Sequence, residues 1–216
     1  MGATVLQKQF ESILGGHLDW QSRLLPELVR SGIPEIELPR GSLTEIFGAP
    51  SSGRTSLLLS ILAEATARDE VCALVDAEDS FDPTSAADAG VRLSRLLWVR
   101  CRHNAEHALK AADLLIQGGG FGLVVMDLGC TAPATARRIS LTSWFRLRRA
   151  VEHTPTVLVT VARQSNAKTC ASLMLECRRE RVIWSGETRL LRGMAVRVIA
   201  THRRKACSPV FTAAAI

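Results

Sequence analysis

Short, nearly continuous apolar segments alternate with helical patterns over the middle of the chain. Strand patterns lie at 43–47, 71–78, 96–101, 121–128 and 156–162, and helical patterns lie between them at 55–68, 104–117 and 136–152. Strands that are apolar on both faces and separated by helices are typical of a parallel sheet covered on both sides. The pattern therefore predicts an α/β fold with a mainly parallel sheet.

The rhythm changes after about residue 171. Four strand patterns follow one another there without intervening helices, at 171–178, 180–185, 194–201 and 208–214. Short links between consecutive strands are typical of antiparallel pairing. We expect these strands to extend one edge of the parallel sheet.

About 40 residues precede the first core strand. Residues 4–15 carry apolar side chains at helical spacing, a second helical stretch covers 19–31, and a turn-rich link follows. The sequence thus predicts a helical N-terminal arm with its linker over residues 1–40 and a core over 41–216. Such an arm either folds back on its own core or docks on a neighbouring subunit, and the pattern does not choose between them.

Composition narrows the class of protein. Of the 216 residues 47% are hydrophobic and 22% are charged, which is typical of a globular protein. No apolar run reaches the length that a bilayer requires, and the first residues lack the apolar stretch of a signal peptide. We therefore expect a cytoplasmic protein without membrane contact. The six scattered cysteines are expected to be free, small and buried.

The formal net charge is +6, and arginines cluster in the second half of the chain. Such clustering suits a polyanionic partner such as nucleic acid, because neutralising phosphates releases counterions. A solvated basic surface is the alternative interpretation. The segment Trp144–Arg149 interleaves aromatic and cationic residues, so it could stack on single-stranded DNA or form a half-buried helix face.

A glycine- and serine-rich segment joins the first core strand to the first core helix. Residues Gly48–Thr55 match the pattern G-x-x-x-x-G-K-[ST], with arginine in the lysine position. Glycines let successive backbone N–H groups curl around a phosphate, and the following helix directs its positive N-terminus at the anion. A hydroxyl such as that of Thr55 can hold Mg²⁺. The segment therefore predicts a phosphate-binding loop for a nucleoside triphosphate, with ATP as the expected ligand.

Arg54 departs from the pattern. A guanidinium is longer than a lysine ammonium, planar and forked, so the exchange is not conservative. We expect binding to persist on the backbone groups, whereas hydrolysis depends on a donor placed at the transition-state charge.

Two acidic residues end neighbouring apolar strands. Asp127 closes the strand at 123–127, where a carboxylate can hold the hydration shell of Mg²⁺. Glu78 ends the strand predicted at 71–78, and it could orient or deprotonate a water molecule.

The chain resembles the RecA recombinase family. The likeness is carried by Gly48–Leu57, by Val75–Glu78 with Asp82-Pro83, and by Leu123–Asp127, and it covers most of residues 35–216. The resemblance implies a RecA-like core that binds ATP and Mg²⁺ and, in the family, assembles on single-stranded DNA. It implies Glu78 as the catalytic glutamate, Thr55 and Asp127 as magnesium residues, and contacts of Arg203, Arg204 and Lys205 to a neighbouring subunit or DNA. The nucleotide-binding residues that it implies are Gly48, Pro50, Ser51, Ser52, Gly53, Arg54, Thr55, Ser56 and Asp82.

Several positions depart from a full recombinase. Arg163 stands where the family has a sensor glutamine, and the segment Gln164–Thr169 is far shorter than the family's DNA-binding loop. The short chain is similar to ImuA-type accessory proteins of translesion synthesis. This implies an ATP-binding protein of DNA repair and the SOS damage response, with weak or DNA-dependent hydrolysis. Two alternatives stay open: a non-enzymatic scaffold that recruits a polymerase or a RecA filament, and a minimal recombinase on single-stranded DNA. In the accessory interpretation the arm serves self-association, or the protein contacts a DNA polymerase or RecA.

Overall fold

A computed structural model describes residues 27–186, 190–202 and 205–214. In chain order its strands and helices are β1 (Leu28–Arg30), β2 (Glu37–Pro39), β3 (Ser42–Phe47), α1 (Arg54–Ala67), β4 (Cys72–Asp76), α2 (Pro83–Asp88), β5 (Leu96–Arg100), α3 (Ala105–Gly118), β6 (Leu123–Asp127), α4 (Pro133–Ala136), α5 (Leu141–Val151), β7 (Val157–Ala162), β8 (Leu173–Trp184), β9 (Leu191–His202), β10 (Lys205–Cys207) and β11 (Val210–Ala214). Short 3₁₀ turns precede β5 and β8. The helix predicted over 4–15 lies outside the described residues.

The main sheet has the order β10-β9-β8-β3-β7-β6-β4-β5, and β11 also pairs with β9. Strands β3 to β7 are parallel, and β8 joins them in parallel beside β3. The strands β9, β10 and β11 are antiparallel additions at the β8 edge. Both the mainly parallel sheet and the antiparallel edge predicted from the sequence are confirmed.

Helices cover both faces of the sheet. Along β6, successive side chains point alternately to the two faces and so belong to two different buried clusters. Leu123 and Val125 belong to the buried cluster that includes α1, whereas Val124 and Met126 belong to the cluster that includes α3 and α5. A strand with both faces buried must be apolar throughout, which explains the unbroken apolar runs of the sequence. No helix in the described ranges is long and apolar enough to cross a membrane.

The helix predicted over 19–31 is wrong at its C-terminal end. Residues 28–30 form β1, which pairs antiparallel with β2, while residues 19–26 lie outside the described residues. Val29 and Leu38 are buried in the cluster that includes α1, so this small hairpin packs on the core. The three residues of β1 are exposed, buried and exposed in turn, and this alternation is typical of a strand. Pairing with β2 therefore outweighs the local helical propensity.

Three other segments differ in detail from the sequence prediction. The predicted helix 136–152 is divided, because the Ser140 hydroxyl accepts a hydrogen bond from the Ser143 N–H and caps a new helix, α5. The strands predicted at 171–178 and 180–185 form one strand, β8, with an irregularity at Glu180 in its pairing with β9. The strand predicted at 208–214 corresponds to β11, and β10 is a further short strand just before it; both pair with β9.

The hairpin offers a matched test of its place in the core. Leu38 is 1% exposed and Leu28 is 53% exposed. We expect Leu38→Ala to lower the free energy of unfolding by about 2–5 kcal/mol, because it removes buried methyl groups and leaves a cavity. Leu28→Ala is the control and should change it by less than about 0.5 kcal/mol. Equal effects of the two variants in urea denaturation would contradict a packed hairpin.

Candidate nucleotide site

The loop between β3 and α1 lies at the centre of the carboxyl edge of the sheet. Strand β3 pairs in parallel with β7 and β8, so the loop emerges between their ends. Pro50 and Ser51 are exposed at its tip, and Ser51 has a φ of 55°. Gly53 has a φ of 91°, and a Cβ atom there would lie 2.4 Å from Val196 Cγ2. Glycine is required at Gly53 both by conformation and by this close approach of β9.

The first turn of α1 presents backbone donors without partners in the helix. Gly53 is the N-cap and supplies no side-chain hydrogen bond, and the first turn contains no acidic residue. The first hydrogen bond of the helix is donated by the Leu57 N–H to the Gly53 carbonyl oxygen. Helix N-termini of this kind attract anions through their free N–H groups and the helix dipole.

Ser52 and Gly48 lie at the base of the same loop. The Ser52 hydroxyl is buried and has no hydrogen-bond partner among the described residues. A Cβ atom at Gly48 would lie 2.4 Å from the Cys177 carbonyl oxygen, so β8 supports the loop from below. The unpartnered Ser52 hydroxyl and the free N–H groups of α1 fit the oxygens of a bound phosphate group.

Arg54 reaches across the sheet edge to the segment after β6. Its guanidinium donates a hydrogen bond of 3.2 Å to the Gly129 carbonyl oxygen. Burial lowers the pKa of Arg54, the nearby Asp127 opposes this shift, and Arg163 adds to it. Arg163 donates to the Gly129 carbonyl oxygen at 3.3 Å and to that of Cys130 at 3.1 Å. The two guanidiniums therefore share one carbonyl oxygen at the end of β6.

Asp127 ends β6 beside this arginine pair. Its Oδ1 accepts a hydrogen bond of 2.7 Å from the Gly129 N–H. Burial raises the pKa of Asp127 to about 6, the Gly129 hydrogen bond opposes the rise, and Asp76 adds to it. A bound cation would favour the ionised carboxylate, so this group suits a site for a charged metal–phosphate ligand.

A cavity of about 180 Å³ connects these groups. Its lining includes Arg54, Thr55, Asp82 and Asp127, so four of the residues selected from the sequence lie together. Thr55 is exposed in the first turn of α1. The carboxylate of Asp82 caps α2, where it accepts hydrogen bonds from the N–H groups of Thr84 and Ser85. Ser56 lies in the same turn of α1 and lines a different groove on the outer face of the helix.

Glu78 lies outside the lining of this cavity. Its Oε2 is 2.9 Å from Nδ1 of His103, which follows β5. Its own N–H donates to Asp76, a fully buried carboxylate that also accepts from the N–H of Phe81 and the indole N–H of Trp98. Asp76 thus shapes the segment that carries Glu78 and Asp82, and sequence reasoning assigned it no role. Its only signal was an acid inside an apolar strand.

Of the remaining residues selected from the sequence, the structure describes only Lys205, at the far edge of the sheet. Arg203 and Arg204 are outside the described residues, and Lys205 begins β10. Gly129 and Arg163 are the site residues that sequence reasoning gave no role in ligand binding. A carbonyl oxygen carries no sequence signal, because its position depends on the backbone alone.

The order of the strands, the loop after β3 and the acidic end of β6 define an α/β protein with a RecA-type core. The family model of the RecA N-terminal domain matches residues 29–137, slightly more than half of the chain. The chain therefore belongs to the RecA N-terminal domain family.

Two similar relatives carry the name Protein RecA. The one from Borrelia hermsii (strain HS1 / DAH) is 38% identical over 127 residues, which is 59% of this chain and 33% of that protein. The one from Ectopseudomonas oleovorans is 44% identical over 90 residues, which is 42% of this chain and 26% of that protein. The chain thus matches about a third or less of the length of these relatives.

The raised pKa of Asp127 makes stability depend on pH. Because the folded-state pKa of about 6 exceeds the unfolded value of 3.8, the folded protein binds more protons between these values. Stability is therefore lost as pH rises through this window, by about 3 kcal/mol for a shift of about two units. We expect Asp127→Asn to remove this dependence between pH 4 and 7 in chemical denaturation. The exposed Asp88→Asn is the control and should keep the wild-type profile.

Proposed function

We propose that this chain binds ATP with Mg²⁺ and serves as a RecA-like accessory protein of DNA repair, with slow hydrolysis at most. The observation that carries the proposal is the N-terminus of α1. This N-terminus has no side-chain cap and directly follows the glycine loop. Arg54, Thr55 and Asp127 line the cavity next to it. An anion with several charges satisfies the free N–H groups and the two guanidiniums together.

Each of these residues has a defined task in the proposal. The N–H groups of Gly53, Arg54 and Thr55 hold phosphate oxygens, and the Arg54 guanidinium supplies a cation. Thr55 and Asp127 hold Mg²⁺, which neutralises charge on the phosphates. Asp82 and Ser85 also line the cavity, and in this proposal they contact the nucleoside.

Slow hydrolysis is supported by two contacts. Arg54 is bound to the Gly129 carbonyl, so its guanidinium must leave that oxygen or share it before contacting a terminal phosphate. Glu78 is paired with His103 and does not line the cavity. A general base must lie within hydrogen-bond reach of the water that it activates, so this glutamate must first leave His103.

The role in DNA repair is supported by family membership and by the names of the relatives. The surplus of positive charge agrees with it, since DNA is a polyanion. The SOS response, an auxiliary role in translesion synthesis, the cytoplasmic location and self-association through residues 1–40 are parts of the same proposal. Contacts of Arg203, Arg204 and Lys205 with a neighbouring subunit or DNA also belong to it.

A non-enzymatic scaffold is the second candidate function. The pairing of Glu78 with His103 favours it, because a chain without turnover has no need of a free base. In that case the core is a scaffold, and residues 1–40 together with the C-terminal strands recruit a polymerase or a RecA filament.

Calorimetry tests nucleotide binding. We expect ATP with Mg²⁺ to bind the wild type, and Arg54→Ala to weaken binding about tenfold or more, because a hydrogen bond to a charged group contributes about 1.5–3 kcal/mol. Thr55→Ala should remove most of the benefit of Mg²⁺. Thr135→Ala, an exposed hydroxyl outside the cavity, is the control. A wild type that ignores millimolar ATP and ADP would exclude the proposal.

A turnover assay with and without single-stranded DNA separates the two candidate functions. We expect slow wild-type hydrolysis, slower hydrolysis in Glu78→Ala, and faster hydrolysis in His103→Ala, which frees the glutamate. ATP affinity should be the same in all three proteins. Brisk wild-type turnover that Glu78→Ala abolishes would contradict slow hydrolysis, whereas no turnover in any variant would favour the scaffold.

A further inference from the structure

The cavity beside the N-terminus of α1 is small for a whole nucleotide. Its volume of about 180 Å³ lies below the range of about 300–1,000 Å³ that is usual for small-molecule sites. Arg54 and Asp127 line it together with Thr55 from the first turn of α1. Guanidiniums and helix N-termini attract anions, so the phosphates are the part of a nucleotide that belongs there. The base must then lie outside the cavity.

Asp82 is the lining residue whose carboxylate could accept a hydrogen bond from a base. Its Oδ1 accepts from the Thr84 N–H at 3.2 Å, and its Oδ2 accepts from the Ser85 N–H at 3.1 Å and from the Ser85 hydroxyl at 2.5 Å. The Ser85 hydroxyl and the two N–H groups lower the pKa of Asp82, so the group is an ionised helix cap. A carboxylate offers about four acceptor positions, and three of these are used by α2 itself.

The remaining acceptor position of Asp82 faces water, because this side chain is exposed. A site rejects the wrong ligand strongly only when that ligand leaves a buried polar group without a partner. Water replaces a missing donor at an exposed carboxylate at little cost. Among the described residues that line the cavity, no side chain contains a buried polar atom without a partner. The lining therefore imposes no such penalty on any base.

Ser80 and Phe81 also line the cavity, and neither is selective for one base. The Ser80 hydroxyl is exposed and rotates to donate or to accept, so it matches any base edge. The Phe81 ring packs edge-to-face on Trp98, with the ring centroids 5.3 Å apart, and the Phe81 N–H donates to Asp76. Stacking on such a fixed ring does not depend on the base, since every base has a π-face.

We propose that the cavity binds nucleoside triphosphates through their phosphates and leaves the base in solvent, so that ATP, GTP, CTP and UTP are equivalent ligands. Asp82 and Ser85 contact the sugar, which the four nucleotides share. Affinity then depends on the phosphates, because Arg54, the free N–H groups of α1 and Mg²⁺ contact only this part. The assignment deepens the proposed nucleotide function and rests on it for the presence of a ligand at α1.

Calorimetry with one nucleotide at a time, always with Mg²⁺, tests the assignment. We expect dissociation constants within about threefold of one another, because a hydrogen bond at an exposed group has a small net effect. Inorganic tripolyphosphate should bind within about tenfold of ATP, the size of one base–aromatic stacking contact. Asp82→Asn keeps a capping side chain on α2, and any change in affinity should be equal for ATP and UTP, although uracil lacks the amino group of adenine. Asp88→Asn, an exposed site at the end of the same helix, is the control.

Three outcomes would overturn the assignment. The first is wild-type protein that binds ATP at least tenfold more tightly than the other three nucleotides, and this result leaves the proposed ATP function intact. The second is a loss of ATP affinity in Asp82→Asn without an equal loss of UTP affinity, which would show that Asp82 reads the base. The third is binding of tripolyphosphate without binding of any nucleotide, which would indicate a site for phosphate ions alone. If neither the nucleotides nor tripolyphosphate bind, the nucleotide function itself is excluded and this assignment with it.

Discussion

The parallel pairing of β3 between β7 and β8 is the constraint on which the rest of the site depends. It places the end of β3 beside the ends of β6 and β7, because parallel strands finish at one edge. The loop before α1 and the carboxylate of Asp127 therefore lie close together at this edge, although they are far apart in the sequence. Strands β8 and β9 then support the loop through the close approaches at Gly48 and Gly53.

Arginine in place of lysine changes how this edge is held together. The long side chain of Arg54 reaches the Gly129 carbonyl oxygen, which also accepts a hydrogen bond from Arg163 at the end of β7. Three strand ends are thereby linked through one oxygen atom. The same contact brings two positive charges next to a desolvated carboxylate, so a multiply charged anion is the natural complement of the cavity. The observed contact holds the Arg54 guanidinium at the Gly129 carbonyl oxygen.

The surface beyond the cavity differs in character from one element to the next. The segment after β7 is fixed by Glu45, whereas α5 presents the exposed side chains of Phe145 and Arg149. The RecA family model matches residues 29–137, which include both the loop after β3 and Asp127. The exposed side of α5 is a second surface, separate from this loop.

The sequence alone determined most strands and helices of the core and the position of the glycine loop after β3, because apolar period and glycine spacing are local properties. It also located Arg54, Thr55 and Asp127. Only the tertiary structure decided that residues 28–30 pair as a strand, that Glu78 faces His103, and that Trp144 is buried while Phe145 is exposed. Each of these depends on partners distant in the chain, as does the pKa of Asp127, which burial raises. The period of apolar residues shows which side chains share a face of an element. Tertiary packing determines whether that face is buried and which residues it contacts.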